Sequence, residues 1–119
     1  MTNNIVVSHL TKQWKDFTLQ DINLTLEEGY IMGLIGRNGA GKTTLMDCIL
    51  GKNHYEGSIE ICGKSLKKNR IEALQEVGFI IEPGPFMPYR TLQQNAQMLG
   101  SLYRNWNMEE FDILLRRFE

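Results

Sequence analysis

Apolar and polar residues alternate along Ile22-Asn23-Leu24-Thr25-Leu26, and Ile5-Val6-Val7 forms a short apolar block; both patterns predict β-strands. Between them, Trp14-Lys15-Asp16-Phe17 predicts a turn leading into a short strand. Glu27-Glu28-Gly29 is the next turn signal, and Tyr30-Ile31-Met32-Gly33-Leu34-Ile35 follows as a nearly continuous apolar run. A short run of that kind, bounded by turns, predicts a central strand covered on both faces. Positions 43–50 lose the alternation and are broken only by Thr44 and Asp47, which predicts a helix packed on most sides and ended by Gly51. Alternation returns between Gly57 and Gly63, predicting another strand. Residues 69–75 suit a short helix capped by Asn69, and 78–82 suit a second buried strand.

All three prolines fall in Pro83-Gly84-Pro85-Phe86-Met87-Pro88, which predicts a loop. Phe86, Met87 and Tyr89 are either exposed contacts of that loop or tucked under the next helix. Thr91 opens that helix, with Leu92, Ala96, Leu99 and Tyr103 on one stripe, and Phe111, Leu114, Leu115 and Phe118 mark a last one. The last helix meets no stop signal before Glu119, an expectation of the first part of a longer protein.

Hydrophobic residues make up 42% of the 119, enough for a globular core. The formal charge of −1, with both signs interspersed, offers no footprint for nucleic acid, so none is expected as a partner. No apolar run approaches the roughly 20 residues that span a bilayer, and the Met-Thr-Asn-Asn start carries no secretory signal. Cys48 and Cys62 fit no metal-ligand spacing and are expected to be buried free thiols in a reducing compartment.

The chemistry is concentrated in Gly36-Arg37-Asn38-Gly39-Ala40-Gly41-Lys42-Thr43, which meets the pattern Gly-x4-Gly-Lys-Thr. A phosphate chain must be gripped at short range by many donors. Glycine at Gly36, Gly39 and Gly41 lets successive backbone amides, Asn38 and Ala40 included, close around it. The loop then opens into a helix whose first amides are unpaired and whose dipole is positive at that end. Lys42 supplies a mobile charge for the β- and γ-phosphates, and the Thr43 hydroxyl is a hard oxygen ligand suited to Mg2+. A nucleoside triphosphate with magnesium, ATP above all, is the ligand class this pattern predicts.

From Leu10 to Gly51 the sequence resembles the nucleotide-binding domains of ATP-binding cassette (ABC) transporters. The resemblance rests on Leu10-Thr11-Lys12-Gln13-Trp14, on Asp21-Ile22-Asn23-Leu24-Thr25-Leu26, and on Gly33 through Lys42 continued by Thr43-Thr44-Leu45. It implies an α/β fold: a phosphate-loop NTPase core with an antiparallel β-subdomain over about residues 1–86, and the start of a helical subdomain over about 91–119. The whole chain would then be the N-terminal part of one ATP-binding domain. The resemblance also implies that Trp14 stacks on adenine; a core position for Trp14 is the alternative from its residue type alone. A glutamine after a buried strand touches magnesium in such domains, and here the matching position is Glu82. Glu82 offers a charged oxygen to the metal but cannot donate a hydrogen bond as an amide does. Glutamate followed by proline and glycine is similar to the subgroup handling bacitracin-like and lantibiotic peptides.

The family's Leu-Ser-Gly-Gly-Gln signature, Asp-Glu strand end and switch histidine are not found in these 119 residues, and His9 and His54 read as surface or structural. The resemblance therefore implies an ATPase in the full-length protein, with a second nucleotide-binding domain as dimer partner. It further implies a transmembrane permease subunit and a cytoplasmic place at the inner face of the membrane. A soluble ABC-type ATPase acting on ribosomes or DNA ends is the competing reading, and a small kinase or GTPase a more distant one, since the Asn-Lys-x-Asp guanine pattern is absent. Phosphoryl chemistry needs a group that positions water as well as the phosphate grip. The expected outcome is that this segment alone binds nucleotide weakly and hydrolyses almost none. Robust turnover in an ATPase assay, abolished by Lys42→Ala, would overturn that.

Overall fold

The structure is a computed structural model that describes residues 2–14, 16–36, 41–80 and 84–118, with the Trp14 side chain outside the description. The chain divides into two compact units, Met1–Val77 and Gly78–Glu119. In the first, β1 (Asn3–Trp14), β2 (Phe17–Glu27), β3 (Glu56–Ile61) and β4 (Lys64–Ser65) form an antiparallel sheet in the order β2-β1-β3-β4. Helices α1 (Lys42–Ile49) and α2 (Arg70–Leu74) belong to the same unit. Its core joins Val7, Leu10 and Leu19 of the first hairpin to Leu45, Cys48 and Ile49 of α1, Ile59 and Ile61 of β3, Leu66 and Ala73. The short strand expected after the turn at Phe17 and the alternating block Ile22–Leu26 are one continuous β2, because Phe17 pairs with Trp14 and the ladder runs on from there.

Strict alternation would not bury this core. Val7 and Leu10 are three residues apart, as are Leu19 and Ile22, and side chains at odd separations on a regular strand face opposite ways. Each strand absorbs the mismatch in an irregularity: the β1–β2 register shifts between Val7 and Leu10 and again between Leu10 and Lys12. His9 (φ 52°) and Asp21 (φ 49°) sit there in the left-handed region. An extra residue of this kind re-aims the side chains beyond it, so Leu10 turns inward and is fully buried. The two strained positions hold each other. His9 Nδ1 lies 2.7 Å from Asp21 Oδ1, the His9 amide donates to Asn23 Oδ1 (2.9 Å), and Asn23 Nδ2 donates to the Asp21 carbonyl (3.0 Å). The hydrogen bond to His9, and then that from Asn23, keeps the Asp21 carboxyl below the ordinary carboxylate range. Opposite the irregularity, Gly57 (φ 96°) passes so close that a Cβ there would fall 2.4 Å from the His9 carbonyl oxygen.

The alternating strand predicted before Gly63 is β3, closed onto β4 by Cys62 (φ 50°) and Gly63 (φ 78°). Positive φ at both central residues is what a two-residue hairpin of type I′ demands. Cys62 therefore belongs to the turn and is exposed, contrary to the expectation of a buried thiol; Cys48 is buried, and both are free. Helix α1 ends as predicted at Gly51 (φ 77°), with the Lys52 amide donating to the Asp47 carbonyl (2.9 Å) and the Gly51 amide to the Cys48 carbonyl (3.0 Å). Those two bonds are the Schellman pattern. The helix is less enclosed than expected, since Thr43 and Met46 are exposed. At α2, Asn69 occupies the cap position without a side-chain cap bond.

Two strand expectations fail. Residues 30–35 form no strand and are exposed, Ile35 to 94%, and the described part of 78–82 is likewise unpaired, with Phe79 and Ile80 exposed. Apolar composition marks a segment for burial, but a strand also needs a neighbouring strand to pair with, and no described strand pairs with either segment.

The second unit holds α3 (Leu92–Gly100) and α4 (Met108–Arg117). Thr91 caps α3 in a reciprocal box with Gln94. The predicted stripe is only partly covered: Ala96 is buried, Leu92 is exposed, and Tyr103 lies beyond the helix. Helix α4 is capped by Asn107, with Glu109 and Glu110 in its first turn and Arg116 and Arg117 in its last, the order its dipole favours. Its stripe is half-buried at Phe111 and Leu115 and exposed at Leu114 and Phe118. Gly100 lets the Trp106 indole lie against α3, where a Cβ would fall 2.4 Å from the ring. Trp106 in turn meets Phe111, with ring centroids 5.9 Å apart.

Two glycines separate strain from clash. Gly29 (φ 85°) has open space where a Cβ would go, so Gly29→Ala should cost only the left-handed penalty of about 1 kcal/mol. Gly57→Ala should cost at least about 2 kcal/mol more, because the obstacle is backbone. Urea denaturation of the two variants measures the difference.

Candidate functional site

The predicted phosphate loop begins at Gly36 and leads into α1. Asn38, Gly39 and Ala40 lie outside the described residues, so its two ends carry the geometry. At the near end, the segment from Tyr30 arrives without ladder partners, and Gly36 is exposed. At the far end, Gly41 takes φ 100° as the residue preceding α1. A Cβ there would fall 2.5 Å from the tip of the Phe17 ring and 2.6 Å from Leu19 Cδ2. Glycine at this position is thus favoured by backbone sign and by close packing against the ends of two β2 side chains, reasons distinct from leaving room for an anion.

Helix α1 starts without a side-chain cap and without an acidic residue in its first turn. Its ladder opens with the Leu45 amide donating to the Gly41 carbonyl (2.9 Å). The amides of Lys42, Thr43 and Thr44 therefore precede the first carbonyl they could use, and they point out of the positive end of the helix. The Lys42 ammonium folds back and donates to the Gly36 carbonyl, bridging the two ends of the loop. Thr43 is exposed and Thr44 half-buried. Gly36, Gly41, Lys42, Thr43 and Thr44 are thereby brought together as a donor-rich rim. Amides without an intrahelical acceptor at a positive helix end are a setting that suits an anion.

The Trp14 backbone pairs with Phe17 at the tip of the first hairpin, and the Phe17 ring lies beside Gly41. The main chain of Trp14 is thus paired with the residue whose ring meets the loop's exit, while its side chain and all of Glu82 lie outside the described residues. Beneath the rim, Cys48 faces the core, and burial pushes its thiol up, which keeps it protonated and unreactive. Among the described residues, no group of three or more His, Cys, Asp or Glu side chains could hold a metal, and no helix is long and apolar enough to cross a membrane.

One residue escaped the sequence reading. Asn95, on α3, is buried, and its amide closes the proline-rich loop on itself. Its Oδ1 accepts from the Met87 amide (2.7 Å), and its Nδ2 donates to the carbonyls of Met87 (3.1 Å), Thr91 (3.0 Å) and Arg90 (3.4 Å). The available signal was a polar residue adjoining Ala96 on the helix stripe, together with a loop whose prolines leave carbonyls short of donors. With Met87 so held, Phe86 and Tyr89 are exposed, the first of the two readings left open for them.

Residues 19–119 match the family described as ABC transporter. The chain is 33% identical over 120 residues to the bacitracin transport ATP-binding protein BcrA of Bacillus licheniformis, an alignment covering 96% of this chain and 39% of that protein. It is 39% identical over 100 residues to the BcrA of Enterococcus faecalis, covering 82% of this chain and 32% of the other. A solved structure titled as the ATP binding subunit of an ABC transporter superposes with a TM-score of 0.78 at 25% identity, over 88% of this chain and 45% of that one. The α/β architecture expected from the sequence is that of this neighbour. The chain spans less than two fifths of the length of these curated relatives.

Asn95→Leu should leave the Met87 amide without its acceptor and remove the side-chain donor from the Arg90 carbonyl, while the Met87 and Thr91 carbonyls keep their backbone donors Arg90 and residue 95, at a cost of about 2 kcal/mol. The matching observation is faster hydrogen exchange at the Met87 amide, with exchange in β1 unchanged.

Proposed function

From the premise that this chain belongs to the ABC transporter family, we propose that it is the N-terminal part of the ATP-binding subunit of a transporter, coupling Mg-ATP binding and hydrolysis to solute movement across a membrane. The observation that carries the reading is the uncapped, acid-free start of α1, entered through Gly41 and flanked by Lys42. Amides without intrahelical acceptors and an ammonium group form a rim for the β- and γ-phosphates, and the Lys42 ammonium exchanges the Gly36 carbonyl for phosphate oxygen when nucleotide enters. Asn38, Gly39 and Ala40 complete the cradle with backbone donors. Thr43 and Glu82 are the residues that would hold magnesium, which supplies neutralisation of phosphate charge. Trp14, at the hairpin tip beside Phe17, is the adenine platform.

The sheet with α1 is read as the β-subdomain and phosphate-loop core, and α3 with α4 as the start of the helical subdomain. In the complete domain, the exposed apolar segments 30–35 and 79–80 become strands by pairing with chain outside these residues, a role that fits their composition and exposure. A second nucleotide-binding domain and a transmembrane permease subunit are the proposed partners, at the inner face of the cell membrane. Similarity to two bacitracin transport proteins makes a peptide of that kind the first solute to test. A soluble cassette ATPase remains the alternative, and co-purification of the full-length protein with an integral membrane protein decides between them.

In the full-length protein, Lys42→Ala should weaken Mg-ATP binding by about a hundredfold by calorimetry, the loss of charge-assisted bonds to two phosphates. Thr43→Ala should leave metal-free nucleotide binding near normal and remove most of the gain from magnesium. Glu82→Ala that left magnesium-dependent turnover unchanged would take Glu82 out of the site.

A further inference from the structure

At the end of α1 remote from Lys42, a cleft of about 270 Å³ opens between the chain leaving the helix and the turn before α2, lined by Gly51, Lys52, Asn53, His54, Tyr55, Leu66, Lys67 and Arg70. Three permanent cations and a histidine meet there, and no carboxylate lines it. That is unusual in a protein whose charges nearly balance, with 13 basic and 14 acidic residues. The ion pairs of His9 with Asp21 and of Lys64 with Glu76 involve none of the lining side chains.

One of the cations is held in place, and a second lies close against the chain. Lys67 Nζ donates to the Gly57 carbonyl (2.8 Å) and stands 4.7 Å above the centre of the Tyr55 ring. Arg70 lies against Gly51, where a Cβ would come within 3.1 Å of Nε and 3.5 Å of Cζ, so the guanidinium rests close to the chain leaving the helix. Burial pushes the Tyr55 phenol up, so that wall stays neutral. Like charges gathered in a lining without a carboxylate repel, and fixing Lys67 lowers the ordering cost that a ligand would otherwise meet.

We propose that this cleft is a second anion site, separate from the phosphate loop, which takes a phosphate-bearing group through Lys52, Lys67 and Arg70. Phosphate is favoured over a single carboxylate because a dianion answers several cations at once, and a guanidinium matches its oxygens in pairs. The volume falls below the roughly 300–1,000 Å³ usual for whole small-molecule ligands, so the site takes the phosphate end of a ligand rather than a nucleotide. Helix α1 is about 12 Å long at 1.5 Å per residue, which keeps the two anion sites from sharing one small phosphate.

The test uses the full-length protein carrying Lys42→Ala, so that the phosphate loop contributes little, and inorganic phosphate as the probe, followed by 31P NMR line broadening. Saturable binding is expected, weakened roughly tenfold or more when Lys67→Gln and Arg70→Gln are added. A second arm sediments the same proteins with phosphatidylcholine vesicles with and without phosphatidic acid. Capture by the acidic vesicles, lost in the cleft variants, assigns the phosphate to a lipid headgroup; phosphate binding without capture assigns it to a soluble ligand. No phosphate binding in the Lys42→Ala protein, or binding unchanged by the two cleft substitutions, overturns the proposal, leaving Lys52 and Arg70 as partners of the helix C-terminus. Lys42→Ala alone abolishing all phosphate binding would sink the second site while leaving the nucleotide reading intact.

Discussion

The contact on which the site depends is the meeting of Gly41 with Phe17 and Leu19. A left-handed glycine lets the chain reverse into α1 while pressed against β2, and a side chain at that position would collide with both residues. The helix start is fixed to the sheet through this one close approach. Once it is fixed, Lys42 and the uncapped amides have a defined direction, and Leu45, Cys48 and Ile49 reach the core on the next two turns. The hairpin that supplies Phe17 also carries Trp14, so one contact orders both the phosphate end and the strand bearing the proposed adenine platform.

The sheet supports that contact only because its two longest strands break their own regularity. Leu10 and Leu19 are buried, yet neither continues the alternation of its neighbours unbroken. The register shifts at His9 and Asp21 restore the phase, at the expense of two residues in a disfavoured backbone region. The hydrogen bonds joining His9, Asp21 and Asn23 hold those residues in place, and Gly57 is the third strand's accommodation to the same irregularity.

Much of this was legible in the sequence, for physical reasons that can be stated residue by residue. The alternation of Ile59 and Ile61 is a local property, and β3 lies where it predicts. Gly51 ends α1 because a left-handed stop is local too, and Thr91 with Gln94 caps α3 by a four-residue pattern. The features that were not legible depend on partners. Residues 30–35 carry the composition of a central strand, but composition says nothing about which neighbour will supply the ladder. Cys62 falls with Ser58 and Glu60 on the outward side of the alternation and then in the turn, so its apolar type was a poor guide to its burial, while Asn69 stands at a cap position without making the bond. For the candidate site, the motif announced Lys42 and Thr43, but not the packing demand on Gly41 or the clamp formed by Asn95. Both arise from residues distant in the sequence or from carbonyls that carry no side-chain signature.

The clamp at Asn95 has a consequence in how the proline-rich loop responds to its surroundings. A carboxamide neither gains nor loses a proton across the range in which proteins stay folded, and it both gives and receives hydrogen bonds at once. An aspartate there would serve the Met87 amide but turn a negative oxygen toward three carbonyls. The loop's anchorage is therefore indifferent to acidity and little affected by ionic strength, unlike the link that ends on the Asp21 carboxylate. Whatever moves Phe86 and Tyr89 must pull against neutral, short-range bonds.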